Sequence, residues 1–254
     1  MDKKLIAVDV DGTLLQTGET AIRKEFFREA RRLMARGVHF CAASGRQYSS
    51  LRRLFAPIAD SICYICENGA VIFGDGELLA KSVIPRERAL ELCHDIIAQP
   101  DCEVLISGTD ISYLCAPTQE YFLHIQNNVG NNTTVIMTPE EMPEEFVKIS
   151  AYCKDGAAAV APRMAPRWSR EYQMAVAGEQ WLDFNRFNKG DGLQVLCAEL
   201  DIPPESVAAF GDNYNDVAML DLAGAAYLAD SAAPELLERY PNHFHRVEDV
   251  LMGF

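Results

Sequence analysis

Hydrophobic and polar positions along the chain follow two regimes, one shared by both ends and one confined to the middle. Leu5-Ile6-Ala7-Val8 is a short apolar run, which reads as a buried strand. Residues 21–36 carry Ile22, Phe26, Phe27, Ala30, Leu33 and Met34 at helical spacing and stop at Gly37. Val38 to Ala43 is again apolar, so strand, helix and strand predict a parallel sheet with a right-handed crossover. A third strand is predicted from Ser61 to Cys66, then a hairpin from Ala70 to Leu79 turning at Gly74-Asp75-Gly76.

From about Val83 the pattern changes. Pro85 to Ala98 has amphipathic helical spacing, and short strands at Glu103 to Ser107 and Ile111 to Cys115 alternate with helical pieces. A strand pair is predicted at Glu171 to Val176 and Trp181 to Phe184. This stretch suits an α+β insert with its own core. After Asn188 the opening pattern returns: a helix from Lys189 through Leu200, a strand at Val207 to Phe210, a helix holding Met219 and Leu220, and a strand at Ala225 to Leu228. The expected fold is therefore α/β, with one parallel sheet built from both ends of the chain and an α+β domain inserted between them.

Charge narrows the partners. With 37 acidic against 23 basic side chains the formal net charge is −14, which opposes binding to nucleic acid or to anionic membranes. No apolar run approaches the roughly 18 residues of a membrane span, and no leader is expected, so the protein is expected in the cytoplasm. Eight scattered cysteines in a chain of 254 residues are expected as reduced core thiols. Cys63 and Cys66 form a CxxC within a predicted strand, where i and i+3 point to opposite faces, and no second pair completes a zinc site.

Polar residues cluster where the predicted strands end, the place where ligands bind in open parallel sheets. Asp9 and Asp11 share one face of an extended chain, and two like charges held so close call for a cation or a shared proton. Asp212 and Asp216 flank a loop rich in Asn and, with Asp9, supply hard oxygen ligands suited to Mg²⁺. Helix capping by Asp212 or Asn213 is the structural alternative. Ser44-Gly45 precedes a helix and offers a hydroxyl and backbone amides to an anion, with a plain Ser cap as the alternative. Lys189 can supply the positive charge a phosphate needs, or can simply be solvated. Neither acidic loop has the Gly and Glu positions of an EF-hand.

Asp9-Val10-Asp11-Gly12-Thr13-Leu14, Ser44-Gly45-Arg46, Lys189 and Gly211-Asp212-Asn213-Tyr214-Asn215-Asp216, in that order and with a large insert before the lysine, resemble the four motifs of the haloacid dehalogenase (HAD) superfamily. The insert position and Glu67-Asn68-Gly69-Ala70 are similar to its Cof-type subfamily with a C2B cap. The resemblance implies a Rossmann-like core over 1–82 and 187–254 and a cap over 83–186. It also implies a Mg²⁺-dependent phosphatase of small phosphorylated metabolites, sugar phosphates first. By that resemblance Asp9 is the nucleophile forming an aspartyl phosphate, and Asp11 is the acid and base. Asp9, the Asp11 carbonyl and Asp212 are the metal ligands, with Asp216 at or just behind the metal. Ser44, Gly45, Lys189 and Asn215 hold the phosphoryl group, and Arg46 and Asn68 are candidate substrate contacts. Closure of the cap is expected to exclude water and select the leaving group. Two other readings stay open: a mutase resembling phosphomannomutase, and a phospho-accepting regulator like a receiver domain. In the insert, Asn127 to Asn132 can hydrogen-bond sugar hydroxyls or form a solvated turn. Arg163, Arg167 and Arg170 can approach a second anion or form a surface stripe that Pro166 interrupts, and Trp168 and Trp181 read as cap core. Oligomeric state is unreadable, and a monomer is compatible with everything above.

Overall fold

The computed structural model describes residues 4–177 and 179–254, apart from the side chains of residues 128 and 129. The chain divides into two compact units, one running to Ala80 and resuming at Asn188, the other spanning Lys81–Phe187.

The first unit opens with β1 (Leu5–Val8), α1 (Lys24–Met34), β2 (His39–Ala43), α2 (Tyr48–Leu54), β3 (Cys63–Cys66), β4 (Val71–Gly74) and β5 (Glu77–Lys81). The second unit supplies α3 (Arg86–Ile97), β6 (Cys102–Ser107), β7 (Ser112–Cys115), α4 (Gln119–His124), β8 (Thr133–Ile136), β9 (Lys148–Cys153), α5 (Ala157–Trp168), β10 (Gln173–Ala177) and β11 (Trp181–Asn185). The first unit then closes with α6 (Lys189–Glu199), β12 (Val207–Gly211), α7 (Val217–Leu222), β13 (Ala225–Ala229), α8 (Pro234–Arg239), β14 (His243–Phe244) and α9 (Val247–Leu251).

The first unit is a sheet in the order β14-β13-β12-β1-β2-β3-β4-β5. Its strands from β14 to β3 are parallel, and β4 turns back against β3. Every residue of β1, β3 and β12 is buried, as expected for strands covered on both faces. One layer of the core gathers Leu5, Ala7, Cys41, Ile65, Val207 and Ala209 against Leu193 and Leu196 of α6. β1, the first strand of the chain, lies between β2 and β12, so the chain builds the sheet outward on one side of it and returns to build on the other. That reversal is the topological switch point at which open α/β sheets bind ligands.

The second unit is a sheet in the order β10-β11-β9-β6-β7-β8, antiparallel except where β8 joins β7. One face carries α3 and α5, whose Leu92, Ile96, Val160, Met164 and Trp168 pack on Val104, Ile106, Ile149, Ala151, Leu182 and Phe184. α5 continues through Pro162 and Pro166, so Pro166 does not separate Arg163 from Arg167 as the sequence suggests, while Arg170 lies beyond the end of the helix. Each proline forfeits one main-chain hydrogen bond. Burial of Val160, Met164 and Trp168 on the sheet keeps the helix intact. No helix among the described residues is long and apolar enough to cross a membrane.

Candidate active site

The parallel ladder fixes which loops meet. Val8 pairs with Phe210 on one side and Ala42 on the other, and the Asp9 amide donates to the Phe210 carbonyl at 2.9 Å. Asp9 thus leaves β1 beside the end of β12, where Asp212 follows. Gly12 has φ +92°, and a Cβ on it would lie 2.1 Å from Asp212 Oδ2. Only glycine lets the first loop cross that close to the second carboxylate. Thr13 Oγ1 then donates to Asp212 Oδ1 at 3.3 Å.

A buried lysine joins the acids. Lys189 Nζ, 1% exposed, donates to Asp9 Oδ1 and to Asp216 Oδ1, each at 2.6 Å. The solvated alternative for this lysine is excluded by its burial. It is the first residue of α6, and a capping box sets that turn: Asn188 Oδ1 accepts from the Asp191 amide at 2.9 Å, and Asp191 Oδ2 accepts from the Asn188 amide at 2.8 Å. Asp216 is fully buried, and its Oδ2 accepts from the Asp212 and Asn213 amides at 3.0 and 3.1 Å. Capping and clustering therefore coexist in this loop: Asn213 and Asp216 form their own capping box while Asp216 holds the lysine.

The electrostatics are unbalanced. Carboxylate oxygens of Asp9, Asp212 and Asp216 lie within 4.8 Å of one another, and among the described residues the Lys189 ammonium bridges two of these three acids. Burial, then the Asp216 charge, pushes Asp9 well above the usual carboxylate range although Lys189 pulls it down. The same two causes push Asp212 up to about 6. Burial works against the Lys189 charge, but Asp216 and Asp9 more than offset it and hold the ammonium above its ordinary value. Asp9 Oδ2 is buried without a hydrogen-bond partner. An orphaned carboxylate oxygen in a cluster with excess negative charge and all-oxygen donors fits a hard divalent cation such as Mg²⁺.

Around this cluster the other sequence candidates fall into two groups. Asp11, with half its side chain exposed, is gripped by Arg46 through Nε at 2.8 Å and Nη2 at 2.6 Å, a bidentate pair. Nothing in the sequence links these two, which are 35 residues apart. Ser44 is buried; its hydroxyl accepts from the Arg46 amide at 3.2 Å, and α2 begins only after Gln47, so Ser44 is not a helix cap. Its carbonyl accepts from the Asn68 amide at 3.0 Å. Glu67, Asn68 and Gly69 all take positive φ, a turn tight enough that a Cβ on Gly69 would lie 2.0 Å from the Asn188 carbonyl. Asn68 packs against Gly45 and accepts from Asn215 Nδ2 at 3.4 Å. Non-glycine residues in this region are costly and concentrate where geometry matters.

A family model for haloacid dehalogenase-like hydrolases matches residues 6–248. The chain belongs to that family. A relative in Escherichia coli, named 5-amino-6-(5-phospho-D-ribitylamino)uracil phosphatase YbjI, is 24% identical over 235 residues, covering 91% of this chain and 87% of the relative. A solved structure from Eubacterium rectale is 28% identical with a TM-score of 0.89, covering 99% of this chain and 98% of that one. The HAD subclass IIB sugar phosphatase BT4131 shares the fold at a TM-score of 0.85 and 19% identity, covering 99% and 98%.

This hydrolase spends most of the polar candidates of its second unit on that unit's own structure. Asn131 Nδ2 donates to Ser112 Oγ at 2.9 Å and Asn132 Nδ2 to the Asp110 carbonyl at 3.3 Å, while the Asn128 side chain lies outside the described residues. Arg167 pairs with Asp95 and Glu91 and lies 4.7 Å from the Trp168 ring, and Arg163 donates to Gln99 at 3.0 Å. These contacts favour the surface reading over a second anion site. Trp168 is fully buried, whereas Trp181 is half-buried in a cluster with Tyr121, His124 and Tyr152. Cys63 and Cys66 are buried free thiols on β3.

Proposed function

We propose that this HAD-family hydrolase removes phosphate from small phosphorylated metabolites in a Mg²⁺-dependent reaction that passes through an aspartyl phosphate on Asp9. The observation that carries the reading is the state of Asp9: Oδ1 is held by Lys189, while Oδ2 is buried and unpartnered at the switch point of the sheet. A carboxylate fixed by one oxygen and bare at the other is set up as a nucleophile.

Oδ2 attacks phosphorus, the ester oxygen departs with a proton from Asp11, and Asp11 then takes a proton from the water that cleaves the acyl phosphate. Asp11 must first leave Arg46, because a carboxyl that donates a proton cannot keep a bidentate ion pair. Ser44, the Gly45 amide, Lys189 and Asn215 serve as donors to the phosphoryl oxygens, and Arg46 and Asn68 are assigned to the substrate. Mg²⁺, held by Asp9, Asp212 and the main-chain carbonyl of Asp11, would screen the repulsion between carboxylate and phosphate. Asp216, with both oxygens engaged, supports Lys189 and the Asp212 loop from behind. The E. coli relative is named for a ribityl phosphate, which favours phosphate esters of sugars and polyols as substrates here.

A panel of phosphorylated metabolites assayed with and without Mg²⁺ tests the reading. Release of inorganic phosphate should require the metal and vanish in Asp9→Asn. Asp11→Asn should lose roughly 10²–10⁴-fold in turnover while still binding Mg²⁺. Metal-free turnover at the full rate, or an Asp11→Asn enzyme as fast as wild type, would contradict it.

A further inference from the structure

Away from the acidic cluster, two thiols of the second unit touch. β6 and β9 run antiparallel with Cys102 directly opposite Cys153, and their sulfurs lie 3.5 Å apart as free thiols. The Cys153 amide donates away from β6, to the Gln180 carbonyl at 2.8 Å, and the next pair outward is bonded from the Lys154 amide to the Asp101 carbonyl at 2.9 Å. Cys102 and Cys153 therefore occupy a non-hydrogen-bonded pair, where opposed Cα atoms stand about 4.5 Å apart. That spacing falls at the short edge of the range a disulfide bridges, about 4.4–6.8 Å. Rotation of the two side chains can then close the remaining gap between the sulfurs.

The two sulfurs are not equivalent. Cys102 is half-buried and Cys153 buried, so a dissolved reagent meets Cys102 first. The Cys153 contact, aided by the Arg163 charge, holds the Cys102 thiol below its ordinary value against the effect of burial, while the same contact raises Cys153. A nucleophilic, reachable thiol backed by a shielded second one is an attacking and resolving pair.

We propose that Cys102 and Cys153 form a redox modification site, closed to an intramolecular disulfide by low-molecular-weight disulfides and reopened by the corresponding thiols. The Cys102 thiolate attacks one sulfur of the small disulfide, whose S–S bond breaks and whose other half leaves as a thiolate that takes a proton from water. Cys153 gives its proton to solvent and attacks Cys102 Sγ, expelling the second small thiol. Two protein thiols are oxidised and one small disulfide is reduced to two thiols. The new bond ties β6 to β9 across the segment that carries β7, α4 and β8.

The full-length protein, incubated with glutathione disulfide and mapped by peptide mass spectrometry without reduction, tests this. Two of the eight thiols should disappear into one peptide pair joining Cys102 to Cys153, and reduced glutathione should restore them. Cys153→Ser, or Cys153→Ala where the serine does not fold, should stop at a glutathione adduct on Cys102. Wild-type protein that keeps all its thiols, that stops at the adduct, or that links other cysteines would overturn the proposal.

Discussion

At the scale of the residue, the buried carboxylate cluster is costly by itself. Asp212 sits at about 6 in the folded chain against an ordinary 3.8. A carboxyl raised on folding contributes its full stability below the unfolded value and loses it as pH climbs through the folded one. Metal-free protein is therefore weakened progressively as pH rises from about 4 and fully above about pH 6, by on the order of 3 kcal/mol from this group. Asp212→Asn cannot ionise and escapes the loss. Thermal denaturation of chelator-treated protein should show the variant melting above wild type at neutral pH and level with it near pH 4. A variant that melts lower at neutral pH would mean the carboxylate is supported by contacts other than those described. Asp9, Asp11, Ser44, Lys189 and Asp212 are legible as polar residues at strand ends. The hold of Arg46 on Asp11 and the sharing of Lys189 between Asp9 and Asp216 are not, because those partners meet only through the sheet.

At the scale of the element, α6 begins with Lys189, so the cap that starts the helix also aims the lysine. Asn188→Ala removes the acceptor for the Asp191 amide and should cost about 0.5–2 kcal/mol of stability. It should also lower kcat/KM, because the first turn carries Lys189. Asn188→Asp keeps an acceptor and should restore both in urea unfolding and steady-state assays. Loss of stability with unchanged turnover would separate the cap from the aim of Lys189. β1, β3 and β12 could be read from the chain because each is a short apolar run buried along its whole length, whereas β14, two residues with an exposed histidine, carries no such run. β9 could not: Lys148 and Ser150 break its apolar run, and its neighbours β6 and β11 are far away in sequence. α5 was masked by Pro162 and Pro166, whose cost is offset by packing the sequence does not display.

At the scale of the whole molecule, a net charge of −14 adds self-repulsion to a chain that already buries a cluster of carboxylates. Mg²⁺ binds only the folded state in this account, so saturating it at about a hundredfold over Kd should stabilise the protein by about 2.7 kcal/mol. Adding a chelator should lower the melting temperature of wild type and leave Asp212→Asn almost unmoved. The central claim is that Asp9 becomes phosphorylated. It is tested most directly by mixing enzyme, Mg²⁺ and a substrate found in the metabolite panel, quenching in acid within a turnover, and mapping the phosphoryl group by mass spectrometry. The account predicts one phosphoryl group on the peptide carrying Asp9, absent from Asp9→Asn. Phosphate release by Asp9→Asn at the wild-type rate, or a phosphoryl group trapped on another residue, would contradict it.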